Sequence, residues 1–299
     1  MNERYPRLRI HARNGEVLIR DGLSICFYMR RSHEEVAAGV MRSLEAYLRA
    51  LGPRALGWYA DSEGDWQELD AAGWEHLQRR LMGSHCGIVT LKDIPGGAGQ
   101  YRFDYFGKSL DAPLFVDNPG AVCAVSFWLP TEYLEKHGPA RVRELALELA
   151  TPLPFNSGHA GLSFNALGQL VGVSEEIRKW CFRHPGMDVR NPEGIAWSIG
   201  TRVRGAYWLT FLGQPVLGEL GGSAGLRSRL SSADITVQDM EGERAVVTLG
   251  EWPEAGDIEQ GRDLPLHREL ARVLEPWLFH SRTREPDEDL LRWERRFLD

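Results

Sequence analysis

The stretch from Leu23 to Tyr59 limits the fold more than any other part of the chain. Leu23 to Met29 (LSICFYM) is an almost unbroken apolar and aromatic run of strand length, the pattern of a strand buried on both sides. Ser32 follows, with Glu35 three positions on, the capping-box signature of a helix start. Val36, Val40, Leu44, Leu48 and Leu51 then recur on one helical face, and Gly52-Pro53 stops the helix. Leu56 to Tyr59 reads as the returning strand. A strand, a long one-sided helix and a second strand can bury their apolar surfaces only as a sheet covered by helices.

The same order recurs later. Val122 to Leu129 (VCAVSFWL) reads as a strand, and Pro130-Thr131 opens a helix with Glu132 and Glu135 near its start. Val142, Leu145 and Leu149 carry its apolar face, and Ala160 to Phe164 (AGLSF) returns as a strand. We read two β-α-β-like units and expect an internal duplication.

Turn chemistry places the remaining elements. Asn14-Gly15 between Leu8–Ile10 and Val17–Ile19 predicts a hairpin, as does Glu241-Gly242 between Ile235–Val237 and Ala245–Leu249. Trp74, Leu77 and Leu81 predict a helix closed by Gly83. Gly87 to Leu91 and Tyr101 to Phe106 (YRFDYF) predict strands around the Pro95–Gly99 turn, and the alternation of the second is that of a half-buried strand. Ser174 is read as the cap of a helix ending near Phe182, and Arg204 to Leu212 as a strand. Pro215 to Leu220 and Leu266 to Leu278 are read as helices, and Pro286 to Leu298 as an amphipathic tail. The fold class is α+β, with mixed or antiparallel sheets and packed helices. No Pro/Ser-rich linker divides the chain. We therefore expect one compact domain over 1–299, built from an N-terminal lobe (1–120) and a C-terminal lobe (121–299).

Charge narrows the partners. With 35 basic against 42 acidic residues the net charge is -7, which disfavours direct nucleic-acid binding over a broad surface and suits a basic protein partner. The N-terminus has no apolar leader segment, and no apolar run reaches the length of a membrane span, so no membrane association and a cytoplasmic location are expected. Cys26, Cys123 and Cys181 lie among apolar residues and read as core. Cys86 completes the four cysteines, and no CxxC pair suggests zinc.

Four motifs bear on chemistry. Gly221-Gly-Ser223-Ala-Gly225 matches a nucleophile elbow, but QPVLGEL before it reads as a short helix rather than a strand. His159, after Asn156-Ser-Gly, reads as a turn residue, with Asp188 as its only candidate orienting carboxylate. His184 and Asp188 flank a Pro-Gly turn with weak metal-ligand spacing. Gly96-Gly-Ala-Gly99 lacks the Lys-Ser/Thr end of a phosphate loop. No catalytic, metal or cofactor residues are assigned, and no enzymatic activity or cofactor is expected. Asp61, Glu63 and Asp65 surround Trp66 in a stretch read as an acidic loop. Acids beside a bulky aromatic suit the surface of a binder for a basic protein.

The resemblance that unites these pieces lies in Ser126–Pro130 (SFWLP), Arg143–Ala146 (RELA), Pro154–Phe164 (PFNSGHAGLSF) and His184–Asp188 (HPGMD). It continues through Ile199–Arg204 (IGTRVR), Trp208–Leu212 (WLTFL), the stretch from Gly250 to Gly256-Asp257, and Leu264-Pro265. In this order, from about Leu23 to Leu278, they resemble the TsiV-type family of type VI secretion immunity proteins. The resemblance implies a cognate effector toxin as partner, a nuclease of the VRR-Nuc type with a PD-(D/E)xK-like core. It implies neutralisation by binding in the cytoplasm and occlusion of the toxin's substrate groove. A serine/histidine hydrolase using Ser223 or His159, or a structural adaptor of the secretion machinery, are the competing readings.

Overall fold

Thirteen residues from Val17 to Met29 form a single strand, because the hairpin arm runs straight into the apolar run behind it. The computed structural model describes residues 4–83, 87–167, 170–281 and 287–299. In chain order, β1 (Arg9–His11) and β2 (Val17–Met29) form the first hairpin, and α1 (His33–Leu51) follows. Glu35 accepts the Ser32 N–H at 2.9 Å, as its spacing predicts. Then come β3 (Trp58–Ala60), β4 (Trp66–Glu68), α2 (Ala71–Leu81), β5 (Ile88–Lys92), β6 (Arg102–Phe106) and β7 (Cys123–Pro130). Next are α3 (Thr131–Ala150), β8 (Ser157–Ala166), α4 (Val173–Arg183), β9 (Asp188–Val189), α5 (Pro192–Ile195) and β10 (Leu209–Leu212). The chain finishes with α6 (Val216–Glu219), α7 (Gly222–Ser228), β11 (Ile235–Met240), β12 (Arg244–Leu249), α8 (Pro265–Leu274) and α9 (Glu288–Glu294).

Among the described residues the strands join in one sheet, in the order β11-β12-β10-β8-β2-β7-β6-β5-β3-β4, with β1 on β2 and β9 on β8. Every pairing is antiparallel except β8 with β9. The α+β class holds. The expected duplication is not confirmed. β7-α3-β8 steps over one strand, β2, whereas β2-α1-β3 steps over three, β7, β6 and β5.

One face of the sheet is apolar. Leu23, Ile25, Phe27 and Met29 share it with Val125, Phe127 and Leu129, under Val36, Val40 and Leu44 of α1 and Val142, Leu145 and Leu149 of α3. This is the helix-on-sheet layer that the periodicity predicts.

Several local readings change. α3 is two helices joined at Gly138, where φ is +78°, and Pro139 cannot donate into the preceding turn. Gly172, with φ +82°, caps α4, and Ser174 lies within its first turn. β10 is shorter than Arg204–Leu212, because the Tyr207 N–H turns to the Thr210 hydroxyl instead of a neighbouring strand. YRFDYF is not half-buried, since Phe103, Asp104, Tyr105 and Phe106 are all buried. The acidic loop is a hairpin, with Trp66 inside β4 and Asp70 capping α2. Cys26, Cys123 and Cys181 are buried free thiols, and Cys86 lies outside the described residues.

Candidate functional site

The second face of the sheet carries a feature that the apolar runs conceal. Register aligns Thr90, Asp104, Ser126, Cys26, His159 and Thr210 in one row across β5, β6, β7, β2, β8 and β10. All but Thr90 are buried. Alternation puts each of them opposite the apolar face. Hydrogen bonds tie the row together: the Thr90 hydroxyl donates to Asp104 at 3.0 Å and the Cys26 thiol to Ser126 at 3.2 Å.

Asp104 anchors two arginines. Arg102 grips it in bidentate fashion, at 2.9 Å to each carboxylate oxygen, and Arg190 pairs with it from the segment after β9. Lys92 is buried beside them. Burial, and then Arg102 and Arg190, push its ammonium down to about 8.

Further along, His159 and Asp188 meet. Nε2 of His159 lies 3.7 Å from the Asp188 carboxylate, which also accepts the Tyr207 hydroxyl at 3.0 Å. The Tyr207 ring stacks on His159 at 4.2 Å. The turn expected at His159 is thus corrected: the residue belongs to the interior of β8, and the parallel β8–β9 ladder delivers Asp188 to it. Arg204 lies 3.9 Å from Asp188 and 3.8 Å from Glu294.

Cys26 faces His159 across the strands, so thiol, imidazole and carboxylate occupy neighbouring positions. The chemistry does not follow. Burial pushes the Cys26 thiol up to about 11 and the His159 imidazole down to about 4. An activated cysteine needs the opposite shift, toward thiolate and imidazolium. A cavity of about 330 Å³ nearby is lined by Arg190 and Arg204 but by neither Cys26 nor His159, so a molecule entering it does not meet the pair. We read the row as a structural network.

The other motifs disperse. Ser223 lies in the first turn of α7, after α6 and the left-handed Gly221, with no strand leading into it. Its hydroxyl bonds Asp239. His184 points to the Gly256 carbonyl at 2.7 Å and stacks on Trp180, away from the Asp188 contacts. Among the described residues no group of three or more His, Cys, Asp and Glu side chains is placed to hold a metal ion. No helix among them is long and apolar enough to cross a membrane. Gly96–Gly99 forms a turn pinned by the Ala98 N–H on the Val17 carbonyl.

The acidic hairpin is a defined surface element. Asp61 accepts from the Glu63 and Asp65 N–H groups, at 2.9 and 3.0 Å, and from the Gln67 amide at 2.9 Å. Those bonds, the Gln67 amide first, hold its carboxyl below the usual range. Asp61 therefore shapes the turn and presents Glu63 and Asp65, both exposed. Trp66 is half-buried, with the Lys92 ammonium 4.4 Å from its ring centre, so one face of the ring is already occupied. The structure brings these four residues together in the β3–β4 turn. Sequence reasoning missed the polar row, whose signal was the polar residues set inside apolar strands, such as Asp104 in β6, Ser126 in β7 and His159 in β8.

Comparison with known proteins agrees with this architecture. A solved structure titled Pseudomonas aeruginosa T6SS protein PA0821 superposes with a TM-score of 0.78 at 19% identity, covering 98% of this chain and 88% of that one. At that identity the likeness concerns the fold. Comparison with curated proteins gives no match. The family model described as type VI immunity for VRR-NUC matches residues 39–298, which takes in the β3–β4 hairpin, His159 and Asp188, and the chain belongs to this TsiV family.

Proposed function

We propose that this protein binds a cognate type VI effector, a nuclease of the VRR-Nuc type, in the cytoplasm and blocks its substrate groove without chemistry of its own. Membership of an immunity family is the observation that carries this reading. The -7 net charge supports it, since a nucleic-acid-cutting enzyme needs a basic groove and an acidic inhibitor is steered into it. The hairpin turn supplies part of the contact, with Glu63 and Asp65 facing the partner, Asp61 holding the turn, and Trp66 beneath it. The reading of one domain over 1–299 is supported by the place of β2, from the N-terminal lobe, between β7 and β8 of the C-terminal lobe.

The test is toxicity rescue followed by co-purification. The neighbouring effector gene is expressed in a sensitive strain with and without this protein. We expect growth to be restored and a stable complex to be isolated. Rescue without a complex would favour an enzymatic mechanism. Failure to rescue, together with capture of secretion-apparatus components, would favour an adaptor.

A further inference from the structure

A second surface, formed by two segments far apart in sequence, carries exposed apolar groups. Residues 109–118 (SLDAPLFVDN) leave the end of β6 as a loop. Leu114 is 71% exposed and Val116 59%. Trp197, just beyond α5, is 45% exposed. Single exposed apolar residues are ordinary, but a Trp, a Leu and a Val gathered on one built platform are the mark of a binding surface.

The platform is rigid. Phe115, between the two exposed residues, is buried and packs against Trp197 with its ring tilted and the centroids 5.4 Å apart. The Asn118 side chain donates to the Trp197 carbonyl at 3.0 Å, and the Gly200 N–H to the Gly120 carbonyl at 2.9 Å. Gly120 approaches so closely that a Cβ there would lie 2.8 Å from the Ser198 Cα. On the other side the Ser32 hydroxyl accepts the Leu110 N–H at 2.8 Å and donates to Asp111 at 3.1 Å. Leu114 and Val116 are therefore presented on an ordered loop, and little ordering entropy is lost on binding.

The acids of the two segments point to a basic partner. Residues 109–118 and 192–198 hold Asp111, Asp117 and Glu193 and no Lys or Arg. Two cations border these segments: Arg30, whose guanidinium is held on the carbonyls of Asn118, Pro119 and Ala121, and buried Lys108, whose ammonium donates to the Val122 carbonyl and lies 5.2 Å from the Trp197 ring centre. Strand register adds position. Trp58 pairs with Lys92 and Ile88 with Phe106, so the Asp61–Asp65 turn and the 109–118 loop lie at the same end of the sheet. Only β5 separates β3 from β6, a separation of about 10 Å.

We infer that Leu114, Val116 and Trp197 form the apolar centre of the surface that docks on the basic groove of the effector, with Asp111, Asp117, Glu193 and the hairpin acids as its rim. This inference rests on the function proposed above and assigns that function a place. An apolar centre with an aromatic anchor supplies affinity, and the acidic rim supplies steering and salt dependence.

The test uses the full chain and a catalytically silenced effector, with affinity measured by calorimetry and oligomeric state by sedimentation. Leu114→Ser with Val116→Ser alters two exposed side chains and leaves the fold and melting point unchanged. It should weaken binding about 100-fold, and Trp197→Ala about 30-fold, as truncated interface anchors do. Asp117→Lys should weaken binding about tenfold at low salt and less at high salt. Glu63→Lys with Asp65→Lys should behave as a rim change of a few-fold. If the wild-type chain binds and the Leu114/Val116 variant binds within about threefold of it, the contact lies elsewhere and the immunity reading survives. If the wild-type chain binds no effector, both fall. If the variant changes only self-association, a second copy of the chain occupies the surface and the inference is overturned.

Discussion

The two faces of the central sheet are built from the same strands and hold together by different physics. On the helical face Phe27, Val125 and Phe127 belong to an apolar cluster with residues of α1 and α3. On the other face Ser24, Cys26, Ser126 and Asp104 alternate with them and are buried, with Cys26, Tyr28 and Ala124 packed against Ile195, Ala196, Ile199 and Phe279. Burial is nearly equal and chemistry is opposite. The first face gains from area removed from water and tolerates inexact shape. The second gains only where every donor and acceptor is matched, and a broken match leaves a charge in a poor solvent. Apolar packing therefore supplies bulk stability, and the polar row fixes how the 188–208 segment lies on the sheet. Trp197, on the proposed docking surface, belongs to that segment.

The largest effect expected is on the apolar face. Phe127 is fully buried, with its ring 5.2 Å from Tyr47 and 5.4 Å from Phe103. Phe127→Ala should lower the unfolding free energy by about 3 to 5 kcal/mol in urea titration. A loss below about 1 kcal/mol would mean that this face can collapse around the void, and the contrast between the faces would weaken.

Asp104→Ala tests the polar face. It removes the carboxylate shared by Arg102 and Arg190, leaving two part-buried guanidinium groups without it. The expected loss is about 3 to 4 kcal/mol. Asp104→Asn, which keeps an acceptor, should lose less. The sharper readout is local. If Asp104 orients the 188–208 segment through Arg190, the variant should raise amide exchange there before it does so in α1. Uniform exchange across both regions would show that the row contributes stability without positioning anything.

What was legible in the sequence follows the same division. The apolar face announces itself, since helix α1 starts at Ser32-Glu35 and its valines and leucines recur on one face, which packs into the core. Both glycine hairpins also form where their turn residues lie. The polar row was hidden, because Ser24, Cys26 and Ser126 sit in runs hydrophobic enough to read as buried on both sides. His159 looked like a turn residue after Asn-Ser-Gly, yet these residues lead straight into a ten-residue strand. The meeting of His159 and Asp188 depends on a two-residue parallel ladder across 29 positions, which no local pattern encodes. The acids of the hairpin were visible, but which of them shape the turn and which face outward depended on hydrogen bonds to Asp61. The apolar platform at Leu114 and Trp197 was invisible, because its two segments meet through long-range contacts, among them the Phe115–Trp197 ring contact and the Asn118 hydrogen bond, that no local pattern encodes.

The smallest effect we predict is a pH slope, and it separates the faces most cleanly, because apolar packing does not titrate. Burial first, with Arg204 and Arg296 adding to it against Asp188, lowers His159 from 6.5 to about 4. Between those values the unfolded chain takes up a proton that the native protein refuses. Stability is therefore full above pH 6.5 and falls as the pH drops toward 4. At about 1.4 kcal/mol per pH unit, the loss attributable to His159 reaches about 3 kcal/mol at pH 4. His33 and His267 are also lowered by burial and steepen the slope in the same direction. Urea titrations of the wild type and His159→Gln from pH 7 to pH 4 isolate the term: the variant is less stable at pH 7 but should lose less on acidification, by about one proton's worth of slope. Parallel slopes in the two proteins would mean that the region around His159 opens to water well before global unfolding. The polar face would then be a solvated layer rather than a second core.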